Sequence, residues 1–160
     1  MAIASTDIVQ RLSGGASNSN ANTSIGGVKS SNAAPSGLFD TVSAAEAVAG
    51  SVEYRCVYIH NAHASLTLLS PTAVVQSDTP DSTSIIDIGL GTSAVNGTET
   101  AVANETTAPA SVTFGAGPVS LGDIPAGQSR ALWLRRTISA GAPAITGDAY
   151  TIRVAGSTNA

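Results

Sequence analysis

Apolar and polar positions alternate differently on the two sides of residue 50. In VEYRCVYIHN (52–61) β-branched and aromatic residues dominate, as strands prefer, with Tyr54, Cys56 and Tyr58 on one face and Val57 and Ile59 on the other. Both faces are apolar, so the pattern predicts a central strand covered on two sides. SLTLLSPTAVV follows a short NAHAS loop and is interrupted by Pro71, and TSIIDIGLG is a further strand. In SRALWLRRTIS, Leu132, Leu134 and Ile138 share one face while Ala131, Trp133, Arg135 and Thr137 share the other. AYTIRVAG alternates Tyr150, Ile152 and Val154 inward with Thr151 and Arg153 outward. ASVTFGAG and PVSLGDI are shorter candidates, and the polar run from Thr92 to Pro109 reads as a long loop. Six to eight short strands between Gly/Pro/Asp turns, without long helical patterns, predict an all-β fold. The expected form is an antiparallel β-sandwich, jelly-roll or Ig-like, over residues 51–160.

Residues 1–50 read otherwise. ASTDIVQRL (4–12) fits one or two helical turns, with Ile8, Val9 and Leu12 close to one face. In GLFDTVSAAEAVAG, Ser43 and Glu46 have capping-box spacing, Gly50 supplies a stop, and Phe39, Val42 and Val48 fall together. Between these lies SGGASNSNANTSIGGVKSSNAAPSG (13–37). It holds seven Ser, five Gly and four Asn, with Lys29 as its one charge and Ile25 and Val28 as its sizeable apolar side chains. Such a segment does not bury enough surface to fold by itself. The expectation is an extended N-terminal arm with short helical turns that becomes ordered against another subunit.

Composition sharpens this. Charged residues are 11% of the 160, against a usual figure of about 25%, so the surface must be carried by Ser, Thr, Asn and Gly. A chain with so little charge to keep copies apart suits a life packed against neighbours. The net charge of −4 and the single lysine leave no nucleic-acid footprint. No window approaches the run of apolar residues needed to span a membrane, and the opening MAIASTDIVQRLSGG lacks the basic and apolar regions of a signal peptide.

Catalytic templates find little purchase. The Gly-Gly of LSGGAS is not followed by the Gly-Lys-Ser/Thr of a phosphate loop. His60 and His63 stand three apart without a third ligand nearby, and Cys56, in mid-strand, fits a buried thiol better than a nucleophile. Asp78 and Asp81 in SDTPDST lack the ligand density of a calcium loop and read as turn caps. No catalytic residue, metal or cofactor is expected, and the reading is not that of an enzyme. Trp133 beside Arg135 and Arg136 is either sandwich core or a contact surface, since Trp and Arg are over-represented where interfaces are strong.

Several stretches carry a resemblance. LSGGASNSNANTSIGG, LFDTVSAAEAVAGSVEYRCVYIHNAHASLTL, DIGLG, ANETTAPASVTF and LGDIPAGQSRALWLRRTISAGAP resemble a group of tailed-bacteriophage virion structural proteins over most of the chain. The most specific are FDTVSAAEAVAGSVEYRC and IPAGQSRALWLRR. The resemblance implies a virion component assembled in the bacterial host cytoplasm, and no catalytic residues. The expected role is a capsid decoration, or cement, protein that partners the major capsid protein and copies of itself, as a trimer. A neck, tail or fibre component is the alternative, and a carbohydrate-binding sandwich a more distant one. Contacts are expected from Ile8, Leu12, Ile25, Val28, Leu38 and Phe39 in the arm, with Trp133, Arg135 and Arg136 as a second patch.

Overall fold

The computed structural model describes residues 2–79, 83–145 and 147–158 and is built on one long antiparallel pair. Strand β2 (Ser51–Asn61) runs against β6 (Ser129–Ile138) in unbroken register from Ser51↔Ile138 to His60↔Ser129. β4 (Ser84–Leu90) bonds the other edge of β6, and β1 (Ile8–Leu12) bonds the Val57–Asn61 half of β2, giving a sheet of order β1-β2-β6-β4. β3 (Leu68–Asp78), the two-residue β5 (Val119–Ser120) and β7 (Tyr150–Thr158) form a second sheet of order β5-β3-β7. Every pairing is antiparallel and the sheets pack together, so the all-β sandwich expected from the strand pattern is the observed fold.

Period-two alternation decides what lies between the sheets. Val57 and Ile59 of β2, Leu132 and Leu134 of β6 and Ile88 of β4 point inward and meet Leu68 and Ala73 of β3. Leu121 and Ile124, just after β5, close one side, and Ile152 and Val154 of β7 pack against the cluster half-buried. Each fully buried Leu or Ile stabilises the fold by about 1.5–3 kcal/mol. β3 runs through Pro71 because its register with β7 shifts between Leu69 and Thr72, and an irregularity absorbs the missing N–H. The candidate strand ASVTFGAG is coil apart from a bridge between Gly115 and Ile88.

Helix α1 (Ala44–Ala49) starts as its sequence dictates. The Ser43 hydroxyl accepts from Glu46 N–H at 3.2 Å, the Glu46 carboxylate accepts from Ser43 N–H at 2.6 Å, and Gly50 ends the helix at φ 78°. Val48, however, faces solvent rather than Phe39 and Val42.

The first forty residues depart from expectation. Ser5–Asp7 is a single 3-10 turn, and Ile8–Leu12 is strand β1, not helix. Two helical turns offer little against a five-residue ladder to β2 that also seats Leu12 in the core. The Ser/Gly/Asn-rich stretch is not an extended arm either. The hydroxyls of Ser13 and Ser24 both donate to Cys56 O, at 2.9 and 2.6 Å, and Cys56 N–H donates to Ser24 O at 2.7 Å. Residues 30–34 then bond the outer edge of β1, with Leu12 N–H donating to Asn32 O and Ala34 N–H to Gln10 O. Asn18 and Asn20 hold the turns between by accepting N–H bonds two residues on. Gly14, at φ 90°, passes so close to Thr23 that a Cβ would stand 2.3 Å from its carbonyl oxygen. Leu38 too lies in the core, so the division expected at residue 50 is not a boundary in the packing. What orders this segment is hydrogen bonding to a strand edge, a term that apolar content does not measure.

Leu12→Ala is therefore expected to cost about 2–5 kcal/mol in urea unfolding, the range for a leucine removed from a core; a loss near zero would mean that the segment is loose.

Candidate functional site

The outer face of the four-stranded sheet is the part of the molecule with most side-chain chemistry. Even-numbered β2 residues and odd-numbered β6 and β4 residues point there, so Tyr54, Cys56, Tyr58, Trp133 and Ala131 form a second buried cluster. Its cover is the polar run after β4, which lays Val102, Val112 and Phe114 across it. The run is pinned by one carboxylate. Glu99 is buried, and its Oε1 accepts from Thr92 N–H at 3.1 Å, the Thr92 hydroxyl at 3.0 Å and Trp133 Nε1–H at 3.3 Å. Its Oε2 accepts from Ser93 N–H at 2.8 Å. Gly91 has to be glycine, because a Cβ there would lie 2.6 Å from that same Oε2. Glu99 N–H donates to Tyr58 Oη at 2.8 Å, Tyr58 O–H donates to Gly27 O at 2.7 Å, and Gly27 N–H returns to Glu99 O at 2.9 Å. Cover loop, serine-rich segment and sheet are thus one circuit.

Burial pushes the Glu99 carboxyl up, but the bonds from Ser93, Thr92 and Trp133 together outweigh it and hold the group below the ordinary carboxylate value. Burial first, then the nearby charge of Glu99, raises the Tyr58 phenol to about 12 and pushes up the Cys56 thiol, which is inert in this setting.

The cover stops before the sheet does. Its last ring, Phe114, sits 5.0 Å from the Arg135 guanidinium, which pairs with Asp87 at 2.5 Å. Beyond this pair, Val52, Thr137 and Ile85 lie opposite one another across β2, β6 and β4. Val52 and Ile85 are 37% and 42% exposed, and Val48, on the last turn of α1, is 75% exposed. The turn after β6 anchors α1 at this end, Gly141 and Ala142 N–H donating to Ala47 O. The result is a row of exposed aliphatic side chains either side of Thr137 at one end of the sheet, rimmed by an ion pair.

A further cluster sits between the sheets. Arg136 binds Glu53 through Nε at 3.0 Å and Asp40 O through an Nη at 2.6 Å, while Arg55 binds Glu105 at 2.6 Å. Phe39 lies against both guanidiniums, its ring centroid 5.4 Å from Arg55 and 4.9 Å from Arg136, with Tyr150 edge-on at 6.3 Å. Burial pushes the Glu53 carboxyl up against the pull of Arg136.

These placements revise the expected contact residues. Leu12 and Leu38 are core, Trp133 is fully buried beneath the cover, and Arg136 is buried with Glu53. Phe39 and Arg135 are only partly open and already engaged, and Ile8 and Ile25 are half-buried. Val28 alone of the nine is largely exposed. The exposed pair Val52 and Ile85 carries no local sequence signal, because only the strand register brings them to either side of Thr137.

The remaining candidates hold the fold. His63 Nδ1 accepts Ser65 and Leu66 N–H at 3.1 and 3.0 Å, capping a turn. His60 Nδ1 stands 3.2 Å from Lys29 Nζ and 3.1 Å from Gln128 O; burial, then Lys29 and Arg11, lower its basicity. The Asp78 carboxylate accepts Ile86 N–H at 2.8 Å on the outer edge of β4, and Asp81 lies outside the described residues. No group of metal-ligating side chains occurs among the described residues. No protein-family model, curated protein or solved structure matches the chain.

A carboxyl held below its ordinary 4.5 stabilises the fold above that pH, and its contribution is lost as pH falls through the lower folded value. Glu99→Gln turns a donor toward Ser93 N–H, so it is expected to cost about 1–3 kcal/mol at neutral pH and to flatten that part of the acid dependence. Urea titrations from about pH 7 to about pH 3, read by the emission of the single tryptophan, check both. An unchanged acid slope would mean that Glu99 is not the pin.

Proposed function

We propose that the chain is a structural component of a tailed-phage particle, a decoration protein that binds the outer capsid surface and stabilises the head lattice. The supporting observation is the exposed aliphatic pair Val52 and Ile85, held either side of Thr137 by three paired strands, with Val48 exposed on helix α1. Removing such side chains from water is worth about 25 cal/mol per Å², and a rigid sheet loses little entropy in presenting them. Charged residues are only 11% of the whole chain, which suits close packing beside a neighbour. The resemblance of FDTVSAAEAVAGSVEYRC and IPAGQSRALWLRR to virion proteins supports the same reading.

The mechanism differs from that of a reaching arm. With residues 8–34 folded onto their own sheet, the contact is between preformed surfaces, with Val28 as an outlying apolar side chain. Contacts made only in the mature lattice stabilise that lattice by mass action. The rings a sugar platform would use, Tyr54, Tyr58 and Trp133, are buried beneath the cover loop, so the carbohydrate-binding alternative gains no support.

Quantitative mass spectrometry of purified particles is expected to find the chain in lattice numbers, comparable to the major capsid protein; about a dozen copies or fewer would indicate a neck or tail ring instead. Val52→Lys with Ile85→Lys alters only exposed side chains and is expected to shift stability within about 0.5 kcal/mol each. The same pair should weaken co-sedimentation with particles at least about tenfold, a loss of roughly 1.4 kcal/mol. Undiminished binding would rule out this row as the contact.

A further inference from the structure

Exposed strand edges template pairing with other chains, and natural sheets blunt them. This chain blunts three of its four. The outer edge of β1 is bonded by residues 30–34, that of β4 by Asp78 at Ile86 and by Gly115 at Ile88, and β5 is two residues long. β7 is treated differently. It runs for nine residues, and among the described residues nothing hydrogen-bonds its side away from β3. In an antiparallel ladder alternate residues turn both backbone groups away from the partner strand, so β7 presents a row of open donors and acceptors.

The side chains at this edge are also unfinished. Tyr150, Ile152 and Val154 pack on the core yet stay half-buried. A cleft of about 210 Å³ separates Tyr150, Thr151 and Ile152 from Gln10, Pro35, Ser36 and Leu38. An added strand would satisfy the backbone row and continue the apolar layer.

We infer that β7 is the seam for a second copy of this chain: two β7 strands pair antiparallel about a two-fold axis at Val154, joining two three-stranded sheets into one of six. The strand's own sequence favours a copy as the occupant. A two-fold at Val154 uses all of 150–158, placing Thr151 opposite Ser157, Ile152 opposite Gly156 and Arg153 opposite Ala155 of the second copy. The one charge on the strand then faces a methyl group rather than itself, and small outward residues let the backbones close. Such an isologous contact is self-limiting at two copies. The inference goes beyond the particle reading and proposes a two-fold dimer in place of the trimer that the resemblance implies. The test uses isolated protein, so its failure is distinct from failure of particle binding.

The test is analytical ultracentrifugation of the full chain from about 1 μM to about 500 μM, with two variants at Ala155, whose side chain is exposed and outside the core. Unchanged melting temperatures confirm that the variants fold. Wild type is expected to show a monomer–dimer equilibrium. Ala155→Lys sets a like charge opposite Arg153 twice per dimer and raises the dissociation constant; Ala155→Glu sets an opposite charge and lowers it. Each change is about 2- to 30-fold, from two cross-strand charge pairs. A monomer throughout, a trimer, or a dimer that both variants move in the same direction or leave unmoved overturns the inference.

Discussion

The rest of this structure depends on the need to satisfy one strand edge. β2 is the axis of the larger sheet, paired with β6 along one edge, but on the other edge β1 bonds only its Val57–Asn61 half, which leaves that edge of the buried residues 53–56 without a strand. Buried N–H and C=O groups left unpaired cost about 1–3 kcal/mol each. The chain answers with irregular segments. Ser24 O takes Cys56 N–H, Ser13 and Ser24 hydroxyls take Cys56 O, Glu105 O takes Tyr54 N–H, and the Arg55 guanidinium takes Tyr54 O. A serine-rich segment and a polar loop distant in sequence meet at β2 for this reason. Their meeting also places the loop over Trp133.

Charge is scarce, and much of it is spent inside. Of seven cationic side chains, Arg55, Arg135 and Arg136 pair with carboxylates, and Phe39 joins two of these. A buried ion pair adds little net stability over an apolar replacement, whereas removing one partner costs about 3–5 kcal/mol. The contribution here is geometric. Asp40, Glu53, Glu105 and Arg136 come from four separate stretches of chain, and two guanidiniums fix how those stretches meet at the end of the sandwich. Placing these charges in internal pairs leaves fewer of them for an exterior already poor in charge.

What could be read from the sequence is what period two and local capping encode. Tyr54, Cys56 and Tyr58 against Val57 and Ile59, Leu132 and Leu134 against Trp133, and Ser43 with Glu46 all follow from neighbours in sequence. Ile8, Val9 and Leu12 suited a helix and a strand alike, and only the partner β2 decides between them. Ser13 and Ser24 were not visible as core residues because their value lies in reaching the carbonyl of Cys56, more than thirty residues away. Glu99 had no local signal, being one acid in a polar run until the register brought Trp133 and Tyr58 to it. The arm expectation went astray for the same physical reason: composition measures what a segment buries and is silent on the backbone groups it satisfies.

The exposed row and the free strand edge lie on different sheets, and that separation bears on the proposed assembly. The apolar row is on the outer face of the four-stranded sheet, between the end of the cover and α1, while the free edge belongs to the three-stranded sheet. Pairing along β7 would leave the row uncovered, so a dimer would present two rows held at a fixed separation by a continuous sheet. Once one row is engaged, the second binds as an intramolecular event, and avidity exceeds the affinity of either contact without any new interaction. A surface as modest as three exposed aliphatic side chains then suffices, because weak contacts repeated under symmetry add up where a single copy would dissociate. In the proposed dimer, the unblunted edge would supply multiplicity and the row recognition.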